Sequence, residues 1–274
     1  MSFRGLLKSA LPHFLLEAIQ AHKQLAPIYS SALQGWFAAF SPDKLKALEQ
    51  SRFGLLPEAF RKGMDLVVDI GANEGQWMTS LLKLISVQQA IVIEPNPAAM
   101  VRCKQRLKEQ HGVIFKEVAL GAKREQGVLH ITSSSDFSSL LNPKHEVISA
   151  NYAQHSSAVL AHQAVEVMPL DDIVPADQTI DLMKLDVQGY ERKVLAGAAS
   201  ALRRTRIVLV ETNFQSHYKE DATFDSLFHL FTQEFGFSFW SMSNPFHGKT
   251  GQALWADSIF INSALVPADS TSPA

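Results

Sequence analysis

The chain has 274 residues, 46% hydrophobic and 19% charged, with a net charge of -2 and one cysteine. This balance supports a large core and offers no basic field for a phosphate backbone, so nucleic acid is not an expected partner. The single Cys103 excludes an internal disulfide and any multi-cysteine zinc site, which suits a cytoplasmic location.

No run approaches the roughly 18 apolar residues of a membrane-spanning helix. Lys8, Pro12, His13 and Glu17 interrupt the only stretch that could pass for a signal core, so no cleaved leader is expected. Residues 1–62 read as a helical extension broken by Pro12, Pro27, Pro42 and Pro57, with Ser41 as N-cap and Pro42 at the first helical position of one helix. The Leu-, Phe- and Lys-rich part from Phe3 to Ile19 suits packing on the main domain or a homodimer contact better than a membrane surface. Residues 63–266 form the expected main domain, and Pro267 to Ala274 a loose tail.

Within that domain, Leu66 to Trp77 reads as strand, tight turn, helix: an apolar run ending in Asp69, then Gly71, Asn73 and Gly75, then a helical pattern. A dinucleotide fingerprint would need glycine at 73 and 76, where Asn73 and Gln76 stand, and Asp69 would repel a pyrophosphate. An acid and a glycine turn favour a cationic ligand instead. The helix after Gly75 carries Trp77, Leu81, Leu82, Leu84 and Ile85 at spacings that put most of them on one face, which should lie on the sheet. A second strand, Ala90 to Ile93, ends in Glu94, close to the roughly 20-residue offset at which an acid grips ribose hydroxyls. Pro97 to Gln110 is a predicted helix, and Val113 to Leu120 a third strand whose exit, Ala119 and Leu120, could meet an adenine ring.

Gly127–Thr132 and Val165–Met168 alternate as a hairpin-like pair. Between them, Ser133 to Gln163 has little regular pattern and reads as a lid loop carrying His145, His155 and His162. The strand Ile180 to Asp186 again ends in an acid before a glycine and a helix from Glu191 to Leu202, and Asp186 should face Asp69 across a switch-point crevice. Ile207 to Asn213 is a fifth strand ending with Glu211. A helix from Thr223 to Phe235 should bury Phe224, Leu227, Phe228 and Phe231, and Phe237–Trp240 and Asp257–Ile261 form a closing antiparallel pair.

These stretches together resemble the FkbM-type family of S-adenosylmethionine-dependent methyltransferases. The resemblance rests on Val68-Asp69-Ile70-Gly71-Ala72-Asn73-Glu74-Gly75-Gln76-Trp77, Ile93-Glu94-Pro95-Asn96-Pro97, Val118-Ala119-Leu120 and Ser138-Ser139-Leu140. It continues through Pro169-Leu170-Asp171-Asp172, Lys184-Leu185-Asp186-Val187-Gln188-Gly189-Tyr190-Glu191, Val210-Glu211 and Asp257-Ser258-Ile259-Phe260. It implies an α/β class I methyltransferase fold, Rossmann-like, with a seven-stranded sheet whose last strand is antiparallel, and methyl transfer from S-adenosyl-L-methionine to a hydroxyl oxygen. Asp69, Gly71, Asn73 and Gly75 would then line the methionine side, Glu94 the ribose, and Asp186 the floor beneath the sulfonium. Gln188 stands where the family usually has Glu.

Methyl transfer to oxygen also needs a proton acceptor, and Asp186, Glu211 and His217 are the candidates, in that order. Lys184, two residues before Asp186 on the same strand face, is expected to neutralise it. Oxygen ligands from Asp186, Glu211 and Asn213 could hold a divalent metal, but the reading adopted here has none. The expected acceptor is a sugar or other small hydroxylated metabolite, with specificity in the Ser133–Gln163 insertion and the helical extension. The competing reading is a non-catalytic adenosine-binding or scaffold protein that retains the fold.

Overall fold

In the computed structural model the described residues are Ala47, 51–152 and 157–266. Two compact units are distinguished, Met1–Ala47 and Leu48–Ala274. The expected N-terminal helices with Ser41 and Pro42, His155, and the tail from Pro267 lie outside the described residues. The unit boundary falls well before residue 62: Phe53, Leu56 and Phe60 are buried in the core of the second unit, and Phe53 packs edge-on against Trp77 at 5.6 Å. Residues 51–62 fold there as a short 3-10 turn at Arg52–Leu55 and helix α1 at Glu58–Arg61.

β1 (Met64–Ile70) is apolar on both faces because it lies in the middle of a sheet covered on both sides. Gly71 and Gly75 then take left-handed conformations, and α2 (Gln76–Leu84) begins. It buries Trp77, Met78 and Leu81, with Ile85 just after it, and leaves Leu82 and Leu84 half-exposed, so most of the expected residues form the packed face and Met78 joins them. β2 (Val87–Ile93) and α3 (Pro97–Arg106) follow, α3 capped by the Asn96 side chain on Ala98 and Ala99 and ending four residues before the expected Gln110.

The expected third strand is two. β3 (Val113–Lys116) pairs with β2 at the sheet edge, while β4 (Ala119–Leu120) belongs to a separate sheet. That smaller sheet has the order β4-β6-β5, with β5 (Glu125–Thr132) and β6 (Val159–Met168) antiparallel, as the alternation predicts. The stretch between them is not a structureless lid: a 3-10 turn at Ser135–Phe137 and helix α4 (His145–Asn151) occupy it. Phe137, Ile148 and Tyr152 anchor it through a small apolar cluster with Leu254.

β7 (Ile180–Leu185) returns the chain to the large sheet beside β1. The predicted helix 191–202 is broken into α5 (Glu191–Ala196) and α6 (Ala199–Arg203). At the break, Gly197 crosses the backbone so closely that a Cβ would lie 2.0 Å from the Gly121 carbonyl oxygen, and the Asp171 carboxylate accepts from Ser200 and Ala201 N–H to start a new helix. β8 (Thr205–Asn213) leads to α7 (Phe224–His229), which runs on as a π-helical turn at Leu230–Glu234. Leu227 and Phe231 are core, but Phe228 is 37% exposed and Phe224 half-buried, in a surface aromatic cluster with Phe214 and Phe239.

β9 (Phe237–Met242), β10 (Phe246–His247) and β11 (Ala253–Asn262) complete the sheet. β11 runs antiparallel to β8, and β9 and β10 both pair with its far edge. The order β10-β11-β8-β7-β1-β2-β3, with β9 on β11, makes eight strands; the addition to the expected seven is the two-residue β10. Neighbour order reverses between β1 and β7, which opens a crevice over their carboxyl ends.

Candidate active site

A cavity of about 520 Å³ occupies that crevice. Gly71, Asn73, Glu94, Asp186 and Glu211 reach it from the ends of β1, β2, β7 and β8, and Ala119 and Leu120 from β4. Among the described residues that line it, Lys184 is the only lysine or arginine, against five acids: Glu94, Asp136, Asp186, Glu211 and Asp257.

Asp69 is fully buried and does not line the cavity. Neither of its oxygens makes a hydrogen bond among the described residues; the Lys184 Nζ, 3.4 Å away, balances it. Burial pushes the Asp69 carboxyl up, with the Lys184 charge opposing. Lys184 also lies 3.2 Å from Asp186 and donates to the Gly71 carbonyl, so one ammonium ties β1, its turn and β7 together. Burial disfavours its charge, but the Asp186 and Asp69 carboxylates outweigh that and raise its pKa. Gly71 is needed for the same junction: its φ is +75°, and a Cβ would lie 1.8 Å from the Asp186 carbonyl oxygen.

Gly75 does not line the cavity either. It faces α3, where a Cβ would meet the Cys103 sulfur at 2.8 Å, so this glycine serves helix packing. Asn73 and Glu94 do line it, and they are bonded: the Glu94 carboxylate accepts from Asn73 N–H and Asn96 N–H, both at 2.8 Å. Burial pushes Glu94 up to about 6 despite these two donors.

At the other wall, Gln188 sits in the left-handed region with φ +56°. Its Nε2 donates to Asp186 Oδ1 at 2.8 Å and Glu211 Oε1 at 3.2 Å, while Tyr218 donates to its Oε1 at 2.8 Å. The amide therefore occupies the space between two carboxylates where a cation could otherwise sit. Burial, then Asp186 and Asp257, raises Glu211 well above the usual carboxylate range. Behind the turn, buried Glu191 accepts from Val187 and Gly189 N–H through one oxygen, and burial lifts it to about 7.

His217 is buried on the cavity wall beyond Glu211. Its Nδ1 pairs with Asn213 Oδ1 at 2.9 Å and its Nε2 with the Tyr152 hydroxyl at 3.2 Å. An amide oxygen only accepts, so Nδ1 carries the proton and the Nε2 lone pair faces Tyr152. Burial lowers the His217 pKa and keeps the ring neutral at pH 7. Tyr152, Phe246 and Trp255 stack in parallel beside it, at 5.3 and 5.6 Å.

A family model described as the methyltransferase FkbM domain matches residues 69–239, more than half of the chain. The chain belongs to the FkbM methyltransferase family. It is 28% identical over 163 residues to the 2-O-methyltransferase NoeI of Sinorhizobium fredii (strain NBRC 101917 / NGR234), covering 56% of this chain and 65% of that protein, just under two thirds of the relative's length. Among solved structures, methyltransferase FkbM from Methylobacillus flagellatus KT aligns with a TM-score of 0.46 at 14% identity, over 73% of this chain and 45% of that one. TrmK of M. capricolum, in complex with S-adenosyl-homocysteine, aligns with a TM-score of 0.40 at 7% identity, over 82% and 69%.

In this member of the FkbM family, the expected site residues separate into three groups. Gly71, Asn73, Glu94, Ala119, Leu120, Asp186, Glu211 and His217 share the cavity. Asp69 acts from beneath it through Lys184, and Gly75 through helix packing. Of the once-conceivable metal set, Asn213 Oδ1 is engaged by His217, and Asp186 and Glu211 by Gln188. Of the lid histidines, His145 meets Ser157, and His162 meets His130 on the hairpin. Tyr152, Phe246 and Trp255 were not expected; nothing in their local pattern marks them, because they converge only when the insertion folds onto β10 and β11. Asn213, expected only as a metal ligand, follows Glu211 by two along a strand and so shares its face, where it meets His217 instead.

Proposed function

We propose that this methyltransferase uses S-adenosyl-L-methionine and methylates a hydroxyl oxygen of a sugar or other small hydroxylated metabolite. The observation that carries this reading is the charge of the cavity, where five lining acids and the buried Asp69 face one lysine. Such a field suits a ligand bearing an ammonium and a sulfonium but no phosphate. Asp69, buried and without a hydrogen bond among the described residues, fits a cationic ligand through its field. Glu94, Asn73 and the turn at Gly71 fit its ribose and methionine sides.

When bound, the cofactor supplies the electrophilic methyl group. The chain's own residues orient the acceptor, exclude water and take up the hydroxyl proton. Asp186 is held by Lys184 and Gln188, so its task is positioning. His217, neutral with its Nε2 accepting from the Tyr152 hydroxyl, is the proton acceptor we favour: Tyr152 gives its proton to Nε2 as it takes the one from the acceptor hydroxyl, and Asn213 fixes the tautomer. Glu211 lines the same wall and helps place the acceptor hydroxyl.

Calorimetry with S-adenosylmethionine and S-adenosylhomocysteine tests the first step, and absence of binding to both would sink the reading. Methyl-label transfer into a fractionated metabolite extract then identifies the acceptor. With that acceptor, His217→Asn should lower kcat by 10²- to 10⁴-fold and leave cofactor affinity unchanged; full activity would remove His217 as the base.

A further inference from the structure

The β5–β6 hairpin carries a polar pair that methyl transfer does not use. His130 and His162 stand directly opposite each other in the antiparallel ladder. Their Nδ1 atoms are 3.0 Å apart, and the rings meet edge to face at 83° with centroids 5.0 Å apart. Ions can reach both, since His130 is half-buried and His162 exposed.

We propose that this pair binds one divalent transition-metal ion of the imidazole-preferring class, Cu²⁺, Ni²⁺ or Zn²⁺, through its two Nδ1 atoms. Metal–imidazole bonds of roughly 2.0–2.1 Å meeting near a right angle place their nitrogens about 3 Å apart, which is the separation found here. The ladder already fixes the two side chains as direct neighbours, so little ordering is needed when the ion binds. Imidazole coordinates as the neutral ring through an unprotonated nitrogen, so the ion replaces the proton of the Nδ1–Nδ1 hydrogen bond and the ring that held it takes the Nε2–H tautomer; burial together with His162 lowers the pKa of His130. Among the described residues no set of three His, Cys, Asp or Glu side chains is grouped to hold a metal, so water completes the coordination sphere.

The position gives the ion something to act on. The His130 backbone exchanges two hydrogen bonds with Ser139, at 2.9 and 3.3 Å, and the Ser139 hydroxyl donates to the Gln188 carbonyl at 2.8 Å. Ser139 and Gln188 both line the cavity. An ion across His130 and His162 therefore clips the hairpin at the residue that braces the cavity wall.

The test is a titration of the full chain with Cu²⁺ below one equivalent, read by electron paramagnetic resonance, beside His130→Gln and His162→Gln. The expected result is hyperfine structure from two nitrogens in the parent, reduced to one nitrogen in each variant, with affinity weaker by about tenfold or more. Saturating Ni²⁺ should raise the melting temperature of the parent and not of either variant. His162 is on the surface, so H162Q keeps the comparison valid even if H130Q folds poorly. The chain has ten histidines; binding of the same affinity and nitrogen count in the parent and both variants, or loss in only one of them, would overturn the pair as the site.

Discussion

Glu94 gives both carboxylate oxygens to backbone N–H groups and so clamps the first glycine turn to the start of α3. Its remaining lone pairs face the cavity, where two adjacent hydroxyls could donate. Glu94→Ala should weaken cofactor binding by at least about 1.5 kcal/mol, near tenfold, measured by calorimetry. With its carboxyl pushed up to about 6, affinity in the parent should also fall as the pH drops through that value, because a protonated carboxyl loses an acceptor. The alanine variant should lack that pH dependence. Gln188 invites the opposite change. A carboxylate at 188 would replace the donor shared by Asp186 and Glu211 with a third negative charge. Gln188→Glu should therefore lower stability by roughly 1–3 kcal/mol at pH 7, and Mn²⁺ should restore it, since hard cations gather oxygen ligands. Thermal melts with Mn²⁺ or with chelator, compared with a parent that shows no such response, would check this.

At the level of elements, the turn between β7 and α5 stores a proton. The Glu191 carboxyl is fully buried; one oxygen serves two N–H donors and the other has no partner among the described residues. Its ordinary pKa of 4.5 rises to about 7 in the folded chain. Between those values the native state holds a proton that the unfolded chain has lost, so this group's contribution declines as pH rises from 4.5 to 7, by about 3 kcal/mol. Glu191→Gln should flatten that part of the stability curve in denaturant titrations across the interval. The strands were legible because their apolar runs and terminal acids are local facts: Asp69, Glu94, Asp186 and Glu211 each mark a strand end. The breaks were not. The division of 113–120 between two sheets and of 191–202 into two helices depends on distant partners, Val167 and Met168 in one case and Gly121 and Asp171 in the other. Likewise, the sequence marks Asp69 and Gly75 as special positions but not whether they face the ligand. That depends on Lys184 and Cys103, both far along the chain.

On the scale of the whole domain, the cavity lies between the large sheet, which supplies Glu94, Asp186 and Glu211, and the smaller sheet, which supplies Ala119, Leu120 and Leu129. A ligand held by both should stabilise them together. Cofactor at about 100 times its Kd contributes ~2.7 kcal/mol and should raise Tm by roughly 5–10 °C for a domain of this size; a scan with S-adenosylhomocysteine measures it.

The way the smaller sheet is attached has an evolutionary consequence. Its strands are spliced into the chain between β3 and β7, so residues can be added or lost between β5 and β6 without changing any pairing in the large sheet. Tyr152 comes from that spliced region, whereas Asp186, Gln188 and Glu211 do not. Descendants of one ancestor can therefore diverge at this wall of the cavity by altering the length of a single hairpin connection, while the acid-bearing strand ends on the opposite side are inherited intact.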